Sequence, residues 1–188
     1  MPPKVKISKE DIVKTALELV REHGEEAINA RAVAAALGCS TQPVFSNFET
    51  MEDLKAAVIH AAYERYFGFL KNEAESGKYP QYKSFGMAYI RFAKEESTLF
   101  RLLFMRDRSG ETLSVAPDFE ASVQIIMQAN GVSEEVARRM HFELWTCVHG
   151  IGTMLATSFF SLEWEQISDM LTDVYQGIRA RLISEEKK

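Results

Sequence analysis

Apolar side chains recur at spacings of three and four along most of the chain, and no run between turn signals alternates apolar with polar, so the pattern predicts an all-α protein. The first helix has Ile12, Ala16, Leu19 and His23 on one stripe with Val13, Leu17 and Val20 beside it. Ser8 with Asp11 supplies its start signal and Gly24 its stop, and His23 reads as a favourable last-turn residue. A long amphipathic helix runs from Met51 to about Ser76 through Leu54, Val58, Ala62, Phe69 and Leu70, and Gly77 to Pro80 interrupts it. An aromatic-rich helix follows, from Tyr82 through Phe92 to Glu96, then a short one from Ser97 to Phe104. Asp107 to Pro117 reads as a mobile or lid-like loop, and a helix over about 118–129 ends at Asn130-Gly131. Ser133 opens a helix expected to reach about Phe160, and Trp164, Ile167, Leu171, Val174, Ile178 and Leu182 trace a packing seam along the last one.

Asn29 to Leu54 departs from plain core patterning, with three helix starts in quick succession. Asn29 can cap a helix of strong formers from Ala30 to Leu37, and Gly38 directly after it can take the left-handed conformation that stops a helix. Ser40 is expected to cap the second helix, with Pro43 tolerated in its first turn. Val44, Phe45 and Phe48 are expected to be buried on a common side, leaving Thr41, Gln42, Pro43, Ser46 and Asn47 mostly outside. Thr50 to Asp53 reads as a capping box that starts a third helix. A short helix with an uncharged, hydrogen-bonding outer face suits a DNA major groove, and this is the pattern of a helix-turn-helix.

At these positions the chain resembles the TetR family of transcriptional regulators. The resemblance spans about residues 8–58 and rests on Val33-Ala34 through Leu37-Gly38, then Ser40, Phe45, Phe48 and Leu54. Three positions depart from the family pattern: Phe45 replaces a tyrosine, Asn47 a histidine and Met51 a lysine, removing a hydroxyl and a positive charge that could hold phosphates. A second resemblance covers roughly 80–182. Trp145, His149 and Gly150 look like the Trp-His-Gly signature of one class of TetR-type C-terminal domains, and Tyr89–Phe104 is similar to the stretch preceding it. It implies a helical domain that dimerises and often holds a small apolar ligand.

Composition fits a soluble globular protein, with 188 residues of which 46% are hydrophobic and 26% charged. A net charge of −5 counts against nucleic acid until its distribution is read. No acidic residue lies between Glu26 and Glu49, Arg31 sits in the first turn of the positioning helix, and Lys4, Lys6 and Lys9 form a basic arm ahead of helix 1. Cys39 and Cys147 are too few for a disulfide scaffold or a C-x-x-C metal site, and the N-terminus lacks the apolar core of a secretory signal, so a reduced, cytoplasmic setting is expected. Leu144–Leu162 carries no charged residue over 19 positions; its His, Thr, Ser and Gly content and missing basic flanks favour a buried core over a membrane span.

The chain contains no metalloprotease, nucleophile-elbow, phosphate-loop or dinucleotide motif, and the expectation is a non-enzyme without a cofactor. His141, Trp145 and His149 share one stripe, but the histidines stand about 12 Å apart by helix rise, too far to chelate one metal, and read as satisfied core or pocket side chains. Phe92, Phe104, Met105, Phe119, Met140, Trp145 and His149 fit an adaptable effector cavity and fit a plain core equally well.

The expectation is therefore an all-α chain with a helix-turn-helix DNA-binding domain at 1–58 and a helical effector-binding and dimerisation domain at 59–188. Thr41, Gln42, Pro43 and Ser46 are expected to face base edges of a palindromic double-stranded operator, while Asn29, Arg31, Ser40, Phe45 and Asn47 hold or orient the backbone. A homodimer is expected through the last two helices, about 134–160 and 164–182, with a small effector tilting the long helix that starts at Met51 and releasing the DNA, as a repressor. The alternative is a helical interaction or ligand-binding protein without DNA binding.

Overall fold

The computed structural model describes residues 7–107 and 117–186, so Lys4, Lys6 and most of the loop expected at 107–117 lie outside the described residues. It contains nine α-helices and a single 3-10 turn, with no strand among the described residues. Two compact units result, the first running through Phe67 and taking in Thr98–Arg106, the second comprising Gly68–Ser97 and everything from Asp107 on.

In the first unit α1 spans Lys9–His23. Its capping box is formed: Asp11 N donates to Ser8 Oγ at 3.1 Å and Ser8 N to Asp11 Oδ2 at 3.0 Å, and these bonds hold the Asp11 carboxyl below the usual carboxylate range. Ile12, Ala16 and Val20 form the buried line, Leu19 is half-buried and His23 exposed. A 3-10 turn, Glu25–Ala27, follows the positive-φ Gly24, and an ion pair from Lys55 to Glu25 joins it to the start of the long helix and raises the lysine pKa. Asn29 Oδ1 accepts from Ala32 N at 2.9 Å to cap α2, Ala30–Ala36, and Gly38 turns the chain at φ +65°. The third helix, α3, is only Gln42–Asn47. Thr50 and Asp53 then form a second capping box, with Asp53 N donating to Thr50 Oγ1 at 3.1 Å and Thr50 N to Asp53 Oδ2 at 2.9 Å, and α4 runs Met51–Glu75. The first three helices contact one another pairwise, burying Ile12, Val33, Ala34, Val44 and Phe48. The short α6, Ser97–Phe104, adds Leu99, Phe100, Leu102 and Leu103 to the core, and Phe104 meets the Tyr66 ring edge-on at 5.4 Å.

The second unit holds α5 (Gln81–Glu95), α7 (Pro117–Asn130), α8 (Glu134–Ala156) and α9 (Trp164–Glu186). The central helix is α8, which packs on α5, α7 and α9. Gly86 makes the α5 approach close: a Cβ there would lie 3.3 Å from Val148 Cγ2 and 3.4 Å from Leu171 Cδ1. Val123, Ile126, Val132, Ala137, Met140 and Leu182 form one core cluster. Elsewhere Phe92 meets Phe69 edge-on at 5.3 Å, and Arg91 bonds Glu73 at 2.9 Å with its guanidinium carbon 4.6 Å from the Trp164 ring centre.

Two expectations about α8 need correction. The helix stops at Ala156 instead of about Phe160. Thr157 Oγ1 donates to Thr153 O at 2.8 Å, Phe159 N bonds Met154 O, and Ser158 takes φ +54°, so the Thr157 hydroxyl shares a helix carbonyl and the left-handed Ser158 ends the helix before the two exposed phenylalanines. The uncharged run is buried on one side only, by Leu144, Val148, Ile151, Gly152 and Ala156, while Trp145, Thr146, Gly150, Phe159 and Phe160 are exposed. No helix among the described residues is long and apolar enough to cross a membrane.

Candidate nucleic-acid interface

Helical periodicity sorts α3 into an inward and an outward face. Val44 and Phe48, four apart, point inward, with Phe48 only 4% exposed; Pro43 and Asn47 are half-buried; Gln42, Phe45 and Ser46 point outward. Phe45 was expected inside with Phe48, and it is 55% exposed. On this short helix the buried arc is narrow: Val44 and Phe48 lie about 40° apart and take it, while Phe45, about 100° round from Val44, falls at its exposed edge. The buried anchors are thus an aliphatic and one phenylalanine. The Phe48 ring is covered by Lys9, whose Nζ lies 4.9 Å from its centre.

Ser40 does not cap α3. Thr41 holds the N-cap position without a side-chain hydrogen bond, and the first turn tolerates this because Pro43 removes one of the backbone donors that a cap would satisfy. Within α3, Ser46 Oγ donates to Gln42 O at 2.9 Å and Asn47 Nδ2 to Pro43 O at 2.8 Å. Asn29 is occupied as the α2 cap, its Nδ2 also reaching Ala27 O at 3.4 Å. Arg31 is exposed in the first turn of α2, Ser40 is exposed, and Thr41 is half-buried.

In the second unit the expected stripe on α8 has specific partners. Tyr82 Oη lies 2.9 Å from His141 Nδ1 and Tyr89 Oη 2.8 Å from His149 Nδ1. The Trp145 ring stacks on His149 with centroids 5.0 Å apart and planes 16° from parallel, and Phe119 meets His141 edge-on at 4.6 Å. Burial pushes the His149 pKa down and the Cys147 thiol pKa up. One turn past His149, Thr153 Oγ1 is buried without a hydrogen-bond partner. Of the remaining cavity candidates, Phe92 and Met140 are fully buried, while Phe104 and the exposed Met105 belong to the first unit. Nothing in local spacing pairs Tyr82 or Tyr89 with a histidine 59 or 60 positions away, so the sequence alone does not single out these two tyrosines.

A helix-turn-helix head with an uncharged outward helix, joined through a long helix to a second helical unit, defines an all-helical helix-turn-helix protein. Residues 82–175, half of the chain, match the family model described as the tetracyclin repressor-like C-terminal domain. The chain belongs to the TetR family, a family of ligand-responsive DNA-binding regulators. Its fold is similar to that of a TetR family member from Streptomyces coelicolor A3, with a TM-score of 0.63 at 16% identity, covering 88% of this chain and 96% of the other. No curated protein matches it in sequence.

Proposed function

We propose that the chain is a repressor that binds a palindromic operator as a homodimer, with the DNA-binding domain in residues 1–58 and the effector-binding and dimerisation domain in 59–188. The observation that carries this reading is the outward face of α3, where Gln42 and Ser46 are exposed over buried Val44 and Phe48 in a stretch free of acidic residues. Gln42 and Ser46, flanked by Thr41 and Pro43, face base edges; Arg31, Ser40 and Asn47 face phosphates, and Asn29 orients α2 as its cap.

Dimerisation through α8 and α9 is supported by the apolar side chains that a single copy leaves outside. Phe142 is 62% and Phe159 79% exposed, Trp145, Phe160 and Met170 are also exposed, and a Cβ at Gly150 would meet nothing within 4 Å, which leaves room for a second backbone. An effector site on the α5–α8 side is supported by Thr153 Oγ1, a buried group without a partner on the same stripe as Trp145 and His149. An effector bound there changes the tilt of α4, which belongs to both units, and with it the separation of two recognition helices that must match half-sites about 34 Å apart or a multiple of that. The protein then acts by binding and release in the cytoplasm, without turnover.

Selection of binding sites from random-sequence duplexes by the full chain, with salt-titrated affinities, tests the proposal. A recovered inverted repeat with a steep salt slope is expected; equal affinity for every duplex would leave the reading of a helical protein without operator recognition. Sedimentation of Phe142→Arg tests the interface, and a dimer unchanged by that substitution would place it elsewhere.

A further inference from the structure

The outward face of α3 combines one amide, one hydroxyl and one bare aromatic ring, and their hydrogen-bonding capacities differ. Ser46 has spent its donor on Gln42 O, so its oxygen can only accept from a ligand, and Gln42 offers both a donor and an acceptor. Phe45 offers neither. It stands 55% exposed one turn from Gln42, with Ser46 beside it, and lacks any group that could bind a phosphate. The apolar feature that a base pair displays in the major groove is the C5-methyl group of thymine. We propose that Phe45 is a specificity-determining residue that reads a thymine methyl group, so that each half-site carries a thymine next to the base pair contacted by Gln42. The inference rests on the operator-binding reading above and moves Phe45 from holding the backbone to reading a base.

The test replaces, one at a time, each thymine of a duplex selected by the full chain with uracil, which removes only the methyl group and leaves base pairing intact. Wild-type protein and Phe45→Ala are measured on every duplex. Burial of one methyl group corresponds to about a fourfold change in affinity. At one thymine per half-site the wild type is expected to lose that factor and Phe45→Ala to lose nothing. A general weakening of the grip by Phe45→Ala would lower affinity for thymine and uracil duplexes together and leave their ratio unmoved. A selected site at which no thymine shows the difference, or at which Phe45→Ala shows it as strongly as the wild type, overturns this inference and leaves the operator reading standing. Failure to select any site overturns both.

Discussion

Each unit has its own set of internal polar bonds, and the two sets differ in reach. In the first, Ser8 with Asp11, Asn29 with Ala32, Ser46 with Gln42, Asn47 with Pro43 and Thr50 with Asp53 join residues three or four apart, and the ion pair from Lys55 to Glu25 reaches further. The second has local bonds too, such as Val136 N to Ser133 Oγ and Thr146 Oγ1 to Phe142 O, but adds distant ones: Tyr82 meets His141, Tyr89 meets His149, Lys83 donates to Ser168 and Thr172 at 2.7 Å, and Tyr175 donates to Asn130 at 3.0 Å, across 45 to 89 positions. Local caps specify a small head that turns its remaining polar side chains outward. Distant pairs specify the interior of a helical bundle, where a polar atom must find its partner on another helix.

The largest test of this contrast lies in the non-polar background that both units share. Phe92→Ala empties a fully buried site in the second unit and is expected to cost about 3–5 kcal/mol in chemical unfolding. Tyr89→Phe comes next. It leaves the His149 Nδ1 that Tyr89 meets without that partner and is expected to cost about 1–3 kcal/mol, whereas a loss near zero would mean that the pair contributes nothing to the bundle. Thr50→Ala removes a local cap and is expected to cost about 1 kcal/mol, read from thermal unfolding of the full chain. If it cost more than Tyr89→Phe, the ordering of distant over local bonds would be reversed. The smallest effect is expected from pH. Because burial lowers the His149 pKa in the folded chain, the unfolded chain binds more protons just below the usual histidine value, and stability falls as pH drops through that interval. His149→Gln is expected to flatten that part of the profile, and an unchanged profile would assign the effect to other groups.

The same difference in reach decides what could be read from the sequence. The caps at Ser8, Asn29 and Thr50 and the stop at Gly38 were legible because donor, acceptor and signal lie within one turn. Ser40 failed as a cap because Pro43 lessens the need for one, and Phe45 was assigned to the core on hydrophobicity when its angular position on α3 faces out. The α8 stripe of His141, Trp145 and His149 was visible as periodicity, yet its tyrosine partners were not, since periodicity says which residues share a face and never which helix covers it. The end of α8 was misplaced for a related reason. An uncharged run looks continuous whether or not a core is present to bury Phe159 and Phe160.

The central claim, that the outward face of α3 reads sequence while the exposed cation of α2 only grips phosphate, is tested most directly by measuring the affinity of Gln42→Ala and Arg31→Ala for a selected duplex and for a scrambled one across a salt series. Gln42→Ala is expected to shrink the preference for the selected duplex by about 5- to 150-fold, the equivalent of one lost bidentate base contact. Arg31→Ala is expected to weaken both duplexes alike and to reduce the salt slope by about one. Equal losses on both duplexes in both variants would contradict the account.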